Sequence, residues 1–381
     1  TSIDLSANTE LKELNCRSNQ LTSLNLTSNT KLTDLKFGLN LELNSVDISN
    51  CLLLERLEFN RTKLRNINLI HHEELKTVKI EGSELTNVQI PDSGKLIEFE
   101  LLGSQILDFD FKNNSGLKKI VLNNGPFQTI NISNCVNLEN LDISDTKIAQ
   151  LDLSKNIKLK KLTSMRTSLK ELDFSFNPDL TFLTAFNCEE LTSINVTNCL
   201  GLREIYFSKS NLSRIDLSTN TRLEKIQGYN NKLDEIFLPN STRMRLLNLS
   251  NNMLTSINVS NYRTLGTLIL NGNQLNTLDV SGNTQLSSLN CSNNFIENID
   301  VTDNLLLRRV YVGNNKLKSL NIKNGRNNRI ANFNALGNPD LTCIQVDDPV
   351  QSGGNFNWIK DDTATFKETC ETEAIVDIPD A

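Results

Sequence analysis

One motif recurs along the chain with a spacing of 21 residues. The stretch LKELNCRSNQLTSLNLTSNTK begins at Leu11, and variants of it begin at Leu32, Leu54 and Leu75. Aligned in this way, the unit reads L-x-x-L-x-L-x-x-N-x-L-x-x-L-x-L-x-x-N-x-x. A sustained period of about 20 to 50 residues marks a solenoid, in which each repeat forms one coil and the coils stack. The repeat therefore predicts one elongated domain of about sixteen coils.

The first half of each unit alternates apolar and polar residues, which predicts a short β-strand. In the first full repeat Leu14 and Cys16 would face the interior, and Glu13, Asn15 and Arg17 would face outward. Stacked strands of this kind form one long parallel sheet, and the second half of the unit closes each coil with another short extended segment. Asn at the ninth position would satisfy backbone groups where the chain turns.

The unit resembles leucine-rich repeats, and more narrowly the 21-residue type of internalin J, which has Cys at the sixth position and L-D-V-S-x-N-T-x in its second half. Both features are present in LNCRSNQLTSLNLTSNTK and LDVSGNTQLSSLNCSNNFI. The resemblance covers about residues 3–346. It implies a leucine-rich repeat solenoid, a right-handed superhelix of β/α type with little helix. Its parallel β-sheet would line the concave face, with short extended segments on the opposite face.

The repeat breaks down near residue 343, and the segment that follows contains the only tryptophan. The sequence NPDLTCIQVD, followed by NW and FKETC, resembles the C-terminal cap of leucine-rich repeat proteins of the Bacteroidetes. This resemblance implies a disulfide between Cys343 and Cys370. Trp358, Phe356 and Phe366 are expected to cover the apolar edge of the last coil.

The predicted division of the chain is a solenoid over residues 1–346, a cap over 347–370 and a tail or linker over 371–381. A structural disulfide in the cap indicates an oxidising compartment, so we predict a secreted or cell-surface protein. No stretch approaches the roughly 18 apolar residues of a membrane helix, which argues against membrane insertion. The first residues already belong to a repeat, so we expect that a signal segment is missing from this chain.

The other cysteines fall at fixed positions of the repeat, which favours buried free thiols over a disulfide framework. They stand at the sixth position (Cys16, Cys291), the ninth (Cys188) and the nineteenth (Cys51, Cys135, Cys199). His71 and His72 are the only histidines; they fall at a turn away from the predicted sheet, and side chains of adjacent residues point apart. We therefore predict no metal site and no cofactor.

The sequence contains no nucleophile motif, phosphate-binding loop or dinucleotide fingerprint. One carboxylate pair remains, because Glu98 and Glu100 face outward on one predicted strand beside Glu81. Their separation of roughly 6–7 Å overlaps that of glycosidase acid and base pairs. However, Lys79 and Lys119 lie close enough to lower the carboxylate pKa values, and the site would be open to water. We predict a protein that is not an enzyme and has no catalytic residues.

Coils eight to eleven differ from the others because aromatic residues stand at their outward positions. We call these outward residues the aromatic patch: Lys161, Met165, Phe182, Phe186, Tyr206, Lys209, Lys225 and Tyr229. Exposed aromatic residues among charged ones are typical of an interaction site. The alternative is that a neighbouring loop covers them, or that strand-favouring aromatic residues pair across the surface.

The sequence therefore predicts a non-catalytic, adhesin-like protein that binds a protein partner through the concave face, as the resemblance to internalins implies. A glycan stacked on the aromatic patch is the second interpretation, and a passive spacer or targeting arm of a larger surface protein is the third. A net charge of −6 without any charge run makes nucleic acid a poor partner. We expect a monomer.

Overall fold

The computed structural model describes residues 1–370 and is a parallel β-solenoid of about 17 turns of about 21 residues, with almost no helix. This confirms the predicted solenoid, with about one turn more than expected. The predicted tail or linker, 371–381, lies outside the described residues. The chain divides into two compact units. Unit 1 comprises Thr1–Leu202 and Lys209–Asn220, and unit 2 comprises Arg203–Ser208 and the residues from Thr221 onward.

In unit 1 the first half of each coil adds a strand to a continuous parallel ladder, which we call the main ladder. Its register repeats the sequence period, since Leu14 pairs with Leu35 and Ile120 pairs with Leu141. The strands are β1 (Glu13–Asn15), β3 (Asp34–Lys36), β5 (Arg56–Asn60), β7 (Thr77–Glu81), β9 (Glu98–Leu102), β11 (Lys119–Asn123), β13 (Asn140–Asp142), β14 (Lys161–Thr163) and β16 (Phe182–Thr184).

The second half of each coil in unit 1 contributes to an opposite ladder that is not continuous. Its strands pair in twos, β2 with β4, β6 with β8, β10 with β12 and β15 with β17. The strands are β2 (Ser23–Asn25), β4 (Ser45–Asp47), β6 (Asn66–Asn68), β8 (Asn87–Gln89), β10 (Asp108–Asp110), β12 (Thr129–Asn131), β15 (Glu171–Asp173), β17 (Ser193–Asn195) and β19 (Arg214–Asp216).

Unit 2 has the same two ladders. Its main-ladder strands are β18 (Glu204–Tyr206), β20 (Lys225–Gln227), β22 (Leu246–Asn248), β23 (Thr267–Ile269), β24 (Ser288–Asn290), β26 (Arg309–Tyr311), β28 (Asn332–Asn334) and β30 (Trp358–Ile359). Its opposite strands are β21 (Glu235–Phe237), β25 (Asn298–Asp300), β27 (Ser319–Asn321), β29 (Cys343–Gln345) and β31 (Thr365–Lys367). A 3-10 turn, Asn327–Arg329, and one short helix, α1 (Pro349–Gly353), complete the unit.

The ninth-position asparagines bond to the backbone as the sequence predicts. Asn40 donates from Nδ2 to the carbonyl oxygens of Cys16 at 3.0 Å and Phe37 at 2.8 Å, and its Oδ1 accepts from the Leu21 N–H at 3.0 Å. One side chain therefore satisfies backbone groups in its own coil and in the preceding one. In unit 1 some coils replace this amide with hydroxyl pairs such as Thr62 and Ser83, whose oxygens lie 3.2 Å apart.

The eighth position has a left-handed backbone in coil after coil, a feature that is not predicted from the repeat pattern. Gly and Asn, which adopt positive φ most readily, occupy most of these sites, for example Asn251 at φ 55° and Gly272 at φ 69°. The other occupants include Leu39 (φ 59°), Arg61 (φ 50°) and Lys209 (φ 57°). This conformation is unfavourable for side chains of these types.

All six predicted free cysteines are free and buried, which confirms their assignment. In the nineteenth-position column Asn29 donates to the Leu5 and Asn8 carbonyl oxygens, and the Cys51 thiol lies 3.4 Å from the Leu26 carbonyl oxygen. Burial raises the pKa of the Cys135 thiol to about 12, so this group is unreactive. The cysteines thus act as small core residues.

His72 lies at a turn outside the strands, as predicted, but the prediction did not include that its side chain is buried. This side chain stands in the nineteenth-position column and is only 2% exposed. Its Nε2 lies 3.1 Å from the carbonyl oxygen of Ile48, and its Nδ1 is buried without a hydrogen-bond partner. Burial lowers the pKa of His72, against a smaller opposing effect of its backbone hydrogen bonds.

We expect His72→Asn to increase stability more at pH 5 than at pH 8. Above about pH 6.5 the imidazole is neutral in both the folded and unfolded states. As the pH falls below that value the unfolded state binds a proton first, because the folded-state pKa is lowered, and the wild type loses stability. Urea unfolding at both pH values measures the difference. His71→Asn, at an exposed site, is the control, and an equal gain at both pH values would contradict the prediction.

The end of unit 2 is covered by aromatic residues. The ring of Trp358 lies 5.0 Å from that of Phe333 and 5.7 Å from that of Phe366, and its Nε1–H donates to the Ile330 carbonyl oxygen at 3.0 Å. Cys343 and Cys370 form the expected disulfide. The expectation that Phe356 also covers the end is wrong, because its side chain is 91% exposed.

The orientation of Phe356 follows from a turn. Asn355 accepts the Asn357 N–H through its Oδ1 at 3.1 Å, which bends the chain just before β30. The residue between them therefore points to solvent. α1 begins nearby, where Asp348 caps the helix by accepting from the N–H groups of Val350 and Gln351.

Candidate functional site

Unit 1 contains five residues of the aromatic patch. Lys161 on β14 pairs in register with Phe182 on β16, so these two side chains are neighbours on the outward face. Phe186 follows β16 and Met165 follows β14. Both phenylalanines and Met165 are half-buried, whereas the sequence pattern predicts exposed rings.

Lysine ammonium groups lie over both phenylalanine rings. Lys161 Nζ is 4.9 Å from the ring centroid of Phe182, and Lys209 Nζ is 5.4 Å from that of Phe186. Each such contact is worth roughly 0.5–1 kcal/mol at an exposed site. The lysines restrict the rings and cover part of their faces, while the ammonium groups remain at the surface.

A neighbouring ion pair neutralises other charges of this surface. Arg166 donates from Nε to Asp145 Oδ1 at 2.5 Å and from Nη2 to Oδ2 at 2.6 Å. Both residues occupy left-handed eighth positions on successive coils. Because this pair cancels its own charge, Lys161 and Lys209 are left as the positive groups beside the two rings.

Unit 2 contains the other three residues of the aromatic patch. The Tyr206 hydroxyl donates to Glu204 Oε2 at 2.5 Å, and Lys225 Nζ donates to Oε1 of the same carboxylate at 2.9 Å. Burial and then the bond to Glu204 raise the pKa of Tyr206 above its usual value. The backbone N–H of Tyr229 donates to Ser208 Oγ at 3.2 Å. That the eight residues of both units form one binding site stays a prediction.

Two outward carboxylates of unit 1, Glu98 and Glu100, are neutralised by two lysines. Lys79 Nζ lies 3.0 Å from a Glu98 oxygen and 3.4 Å from a Glu100 oxygen, and Lys119 Nζ lies 2.9 Å and 2.5 Å from the same two carboxylates. Partial burial raises the pKa of Glu98, but hydrogen bonds from Lys119 and Lys79 outweigh it and lower the pKa to about 2. A general acid needs a raised pKa, so this arrangement does not support acid–base chemistry.

Residues 1–370 contain neither a candidate metal-binding cluster nor a candidate membrane-spanning helix. Within that range no three His, Cys, Asp or Glu side chains are grouped as a metal site would require. No helix in the same range is both long and apolar enough to cross a membrane.

A solenoid of 21-residue coils with parallel strands in its first half-turns and buried asparagines at its bends is the fold of leucine-rich repeat proteins. No protein-family model and no curated protein matches the sequence. Solved structures do match, and their likeness shows the fold.

The functional domain of InlJ from Listeria monocytogenes, described as including a cysteine ladder, is 24% identical, with a TM-score of 0.52 over 84% of this chain and 67% of that one. A leucine-rich repeat protein of Leptospira interrogans is 18% identical, with a TM-score of 0.60 over 94% of this chain and 97% of that one. The plant peptide hormone receptor RGFR1, solved in complex with RGF2, is 16% identical, with a TM-score of 0.56 over 92% of this chain and 69% of that one.

Proposed function

We propose that this protein is a non-catalytic binding protein that recognises a protein partner through the outward face of its main ladder. The observation that carries the proposal is the pair of lysine ammonium groups held over Phe182 and Phe186 in unit 1. Such a surface offers apolar ring area and fixed positive charge together. Aromatic and cationic residues are the groups that contribute most to protein interfaces.

The backbone at Lys209 supports a functional role for this side chain. Its φ of 57° is one that Asn187 and Asn230 adopt at the same position of the adjacent coils, where asparagine tolerates it well. A lysine there costs stability, and strain of this kind is concentrated at functional sites. The ammonium group that it places over Phe186 gives a reason for its presence.

A protein partner is favoured over a glycan because lysine side chains partly cover the rings of Phe182 and Phe186. A sugar that stacks on an aromatic ring needs an open face, but an ammonium group already lies over each of these rings. A peptide can use the half-buried rings and the ammonium groups at once. The peptide complex of the similar plant receptor is consistent with this preference. The cap disulfide supports a secreted or cell-surface location.

The test compares three forms of the protein on one array of extracellular proteins, peptides and glycans. Phe182→Ala with Phe186→Ala should abolish protein or peptide signals that the wild type gives. Each ring contributes roughly 1.5–3 kcal/mol when buried, so the loss should be a hundredfold or more. Thermal unfolding should change by little, because neither ring fills the coil interior.

The matched control is Phe295→Ala in unit 2. Lys316 Nζ lies 4.8 Å over this ring, so the control removes the same kind of cation–aromatic contact outside the aromatic patch. Its binding signals should stay at the wild-type level. Loss of glycan signals alone in the double variant would support the glycan interpretation, and unchanged signals would show that these rings are not the site.

A further inference from the structure

Leu39 is an unusual occupant of the left-handed eighth position. Its φ is 59°, and its side chain is 37% exposed. This conformation is unfavourable for leucine, and Leu39 does not offset the cost of the strain by packing in the core. Gly or Asn, which stand in the same position in most coils, would fold more readily here.

The coil that contains Leu39 departs from the repeat in a second way. It has 22 residues from Leu32 to Leu54, and the extra residue falls in the bend after Asn40. Leu41, in that bend, is 61% exposed. Two leucines are therefore presented to water at one edge of the main ladder in unit 1. We call Leu39, Leu41 and Arg61 together the Leu39 surface.

Arg61 is the register partner of Leu39 on the next coil. The Leu39 N–H donates to the Asn60 carbonyl oxygen at 2.8 Å, and Arg61 itself has a left-handed φ of 50°. These are successive coils that both lack the usual Gly or Asn. Arg61 is exposed. The strained backbone thus places an aliphatic side chain beside a guanidinium group.

Within residues 1–370 Arg17 and Arg61 near this surface form no ion pair, and neither does one carboxylate beside them, Glu81, which leaves a small positive excess. Glu42 is neutralised by Lys63 at 2.6 Å, Glu58 by Arg56 at 3.2 Å, and Asp34 by Lys36 at 3.4 Å. The acidic net charge of the whole chain matters little here, because charges more than about 8 Å away are screened at physiological salt.

We propose that the Leu39 surface binds an extended peptide segment in which an aliphatic side chain stands beside a carboxylate. The aliphatic group would pack on Leu39 and Leu41, and the carboxylate would accept paired hydrogen bonds from the Arg61 guanidinium group. This occupant accounts for the two strained residues, the inserted residue and the unpaired cation together. The site is separate from the aromatic patch and does not depend on it.

The experiment selects a random hexapeptide library on the full-length protein and compares the wild type with Leu39→Asn and Arg61→Asn. The retained peptides should be enriched in Glu or Asp beside Leu, Ile or Val. Both variants should bind them at least tenfold more weakly and yet melt at the same or a higher temperature, because asparagine relieves the backbone strain. Substitution of a residue that only stabilised the fold would lower the melting temperature, and so would not weaken binding while leaving the melting temperature equal or higher.

Asn251→Leu is the matched control, since it creates the same strained leucine in unit 2. It should melt at a lower temperature than the wild type and leave peptide binding unchanged. The proposal is wrong if no peptide is enriched, if basic peptides are enriched, or if Leu39→Asn lowers the melting temperature. It is also wrong if sedimentation shows that the wild type self-associates and Leu41→Ser does not, because the occupant would then be a second copy.

Discussion

Trp358→Ala should lower the stability of the end of unit 2 by about 3–5 kcal/mol and unravel its last coils. The indole is only 8% exposed and packs on the rings of Phe333 and Phe366. Its loss leaves a large cavity and removes the donor that bonds to the Ile330 carbonyl oxygen. A solenoid is stabilised mainly by contacts between neighbouring coils, so the damage should begin at β28 and β30.

Amide hydrogen exchange resolved along the chain measures this effect. Protection should fall in the strands next to the cap and remain at wild-type level in unit 1. Phe356→Ala is the control, since its 91% exposed ring should leave protection unchanged. Equal exchange in wild type and Trp358→Ala would show that the indole does not hold the terminal coils.

Asn294→Ala should destabilise unit 2 by about 2–4 kcal/mol, since leaving each buried polar group unpaired costs roughly 1–3 kcal/mol. Asn294 Nδ2 donates to the Leu270 and Cys291 carbonyl oxygens, each at 3.0 Å, and Oδ1 accepts from the Leu275 N–H at 3.0 Å. Alanine leaves the Leu275 N–H without this partner and removes one of two amide donors from each carbonyl oxygen, because Asn273 also donates to Leu270 and Asn315 also donates to Cys291.

Urea unfolding followed by circular dichroism gives the difference in free energy of unfolding. Asn298→Ala, at an exposed position of β25, is the control and should change it by less than about 0.5 kcal/mol. Asn294→Thr should fall between the two, because a hydroxyl group serves at this position in unit 1, as at Thr62. A cost for Asn294→Ala no larger than that of the control would mean that these hydrogen bonds add nothing.

The residues that fill the coil interior could be predicted from the sequence because the repeat period alone determines which side chains face inward. A spacing of 21 residues with period two inside the strand places Leu14 inward and Arg17 outward, and the same rule assigns each cysteine to a buried column. His72 was missed because its polar neighbours suggest a turn. The necessary signal was present, since His72 follows Cys51 by 21 residues and so belongs to the same column.

The surface was less predictable because its features depend on local conformation. The outward direction of Phe182 follows from the strand period, but the position of Lys161 over its ring depends on side-chain rotamers. Likewise the exposure of Phe356 depends on one Asn turn. The left-handed eighth position is difficult to recognise in sequence because residues as different as Leu39 and Gly82 occupy it.

The ninth-position asparagines of unit 2 form the same hydrogen bonds between each pair of successive coils, so the coil-to-coil contacts are interchangeable. Asn252, Asn273 and Asn294 each accept from a backbone N–H 19 residues earlier and donate to carbonyl oxygens 24 and 3 residues earlier. Loss or duplication of one 21-residue repeat therefore recreates the same hydrogen bonds between the coils that become neighbours, without any compensating substitution. Gene rearrangement can lengthen or shorten this region in steps of one strand spacing, about 4.8 Å, and thereby adjust the distance between outward side chains while the interior stays the same.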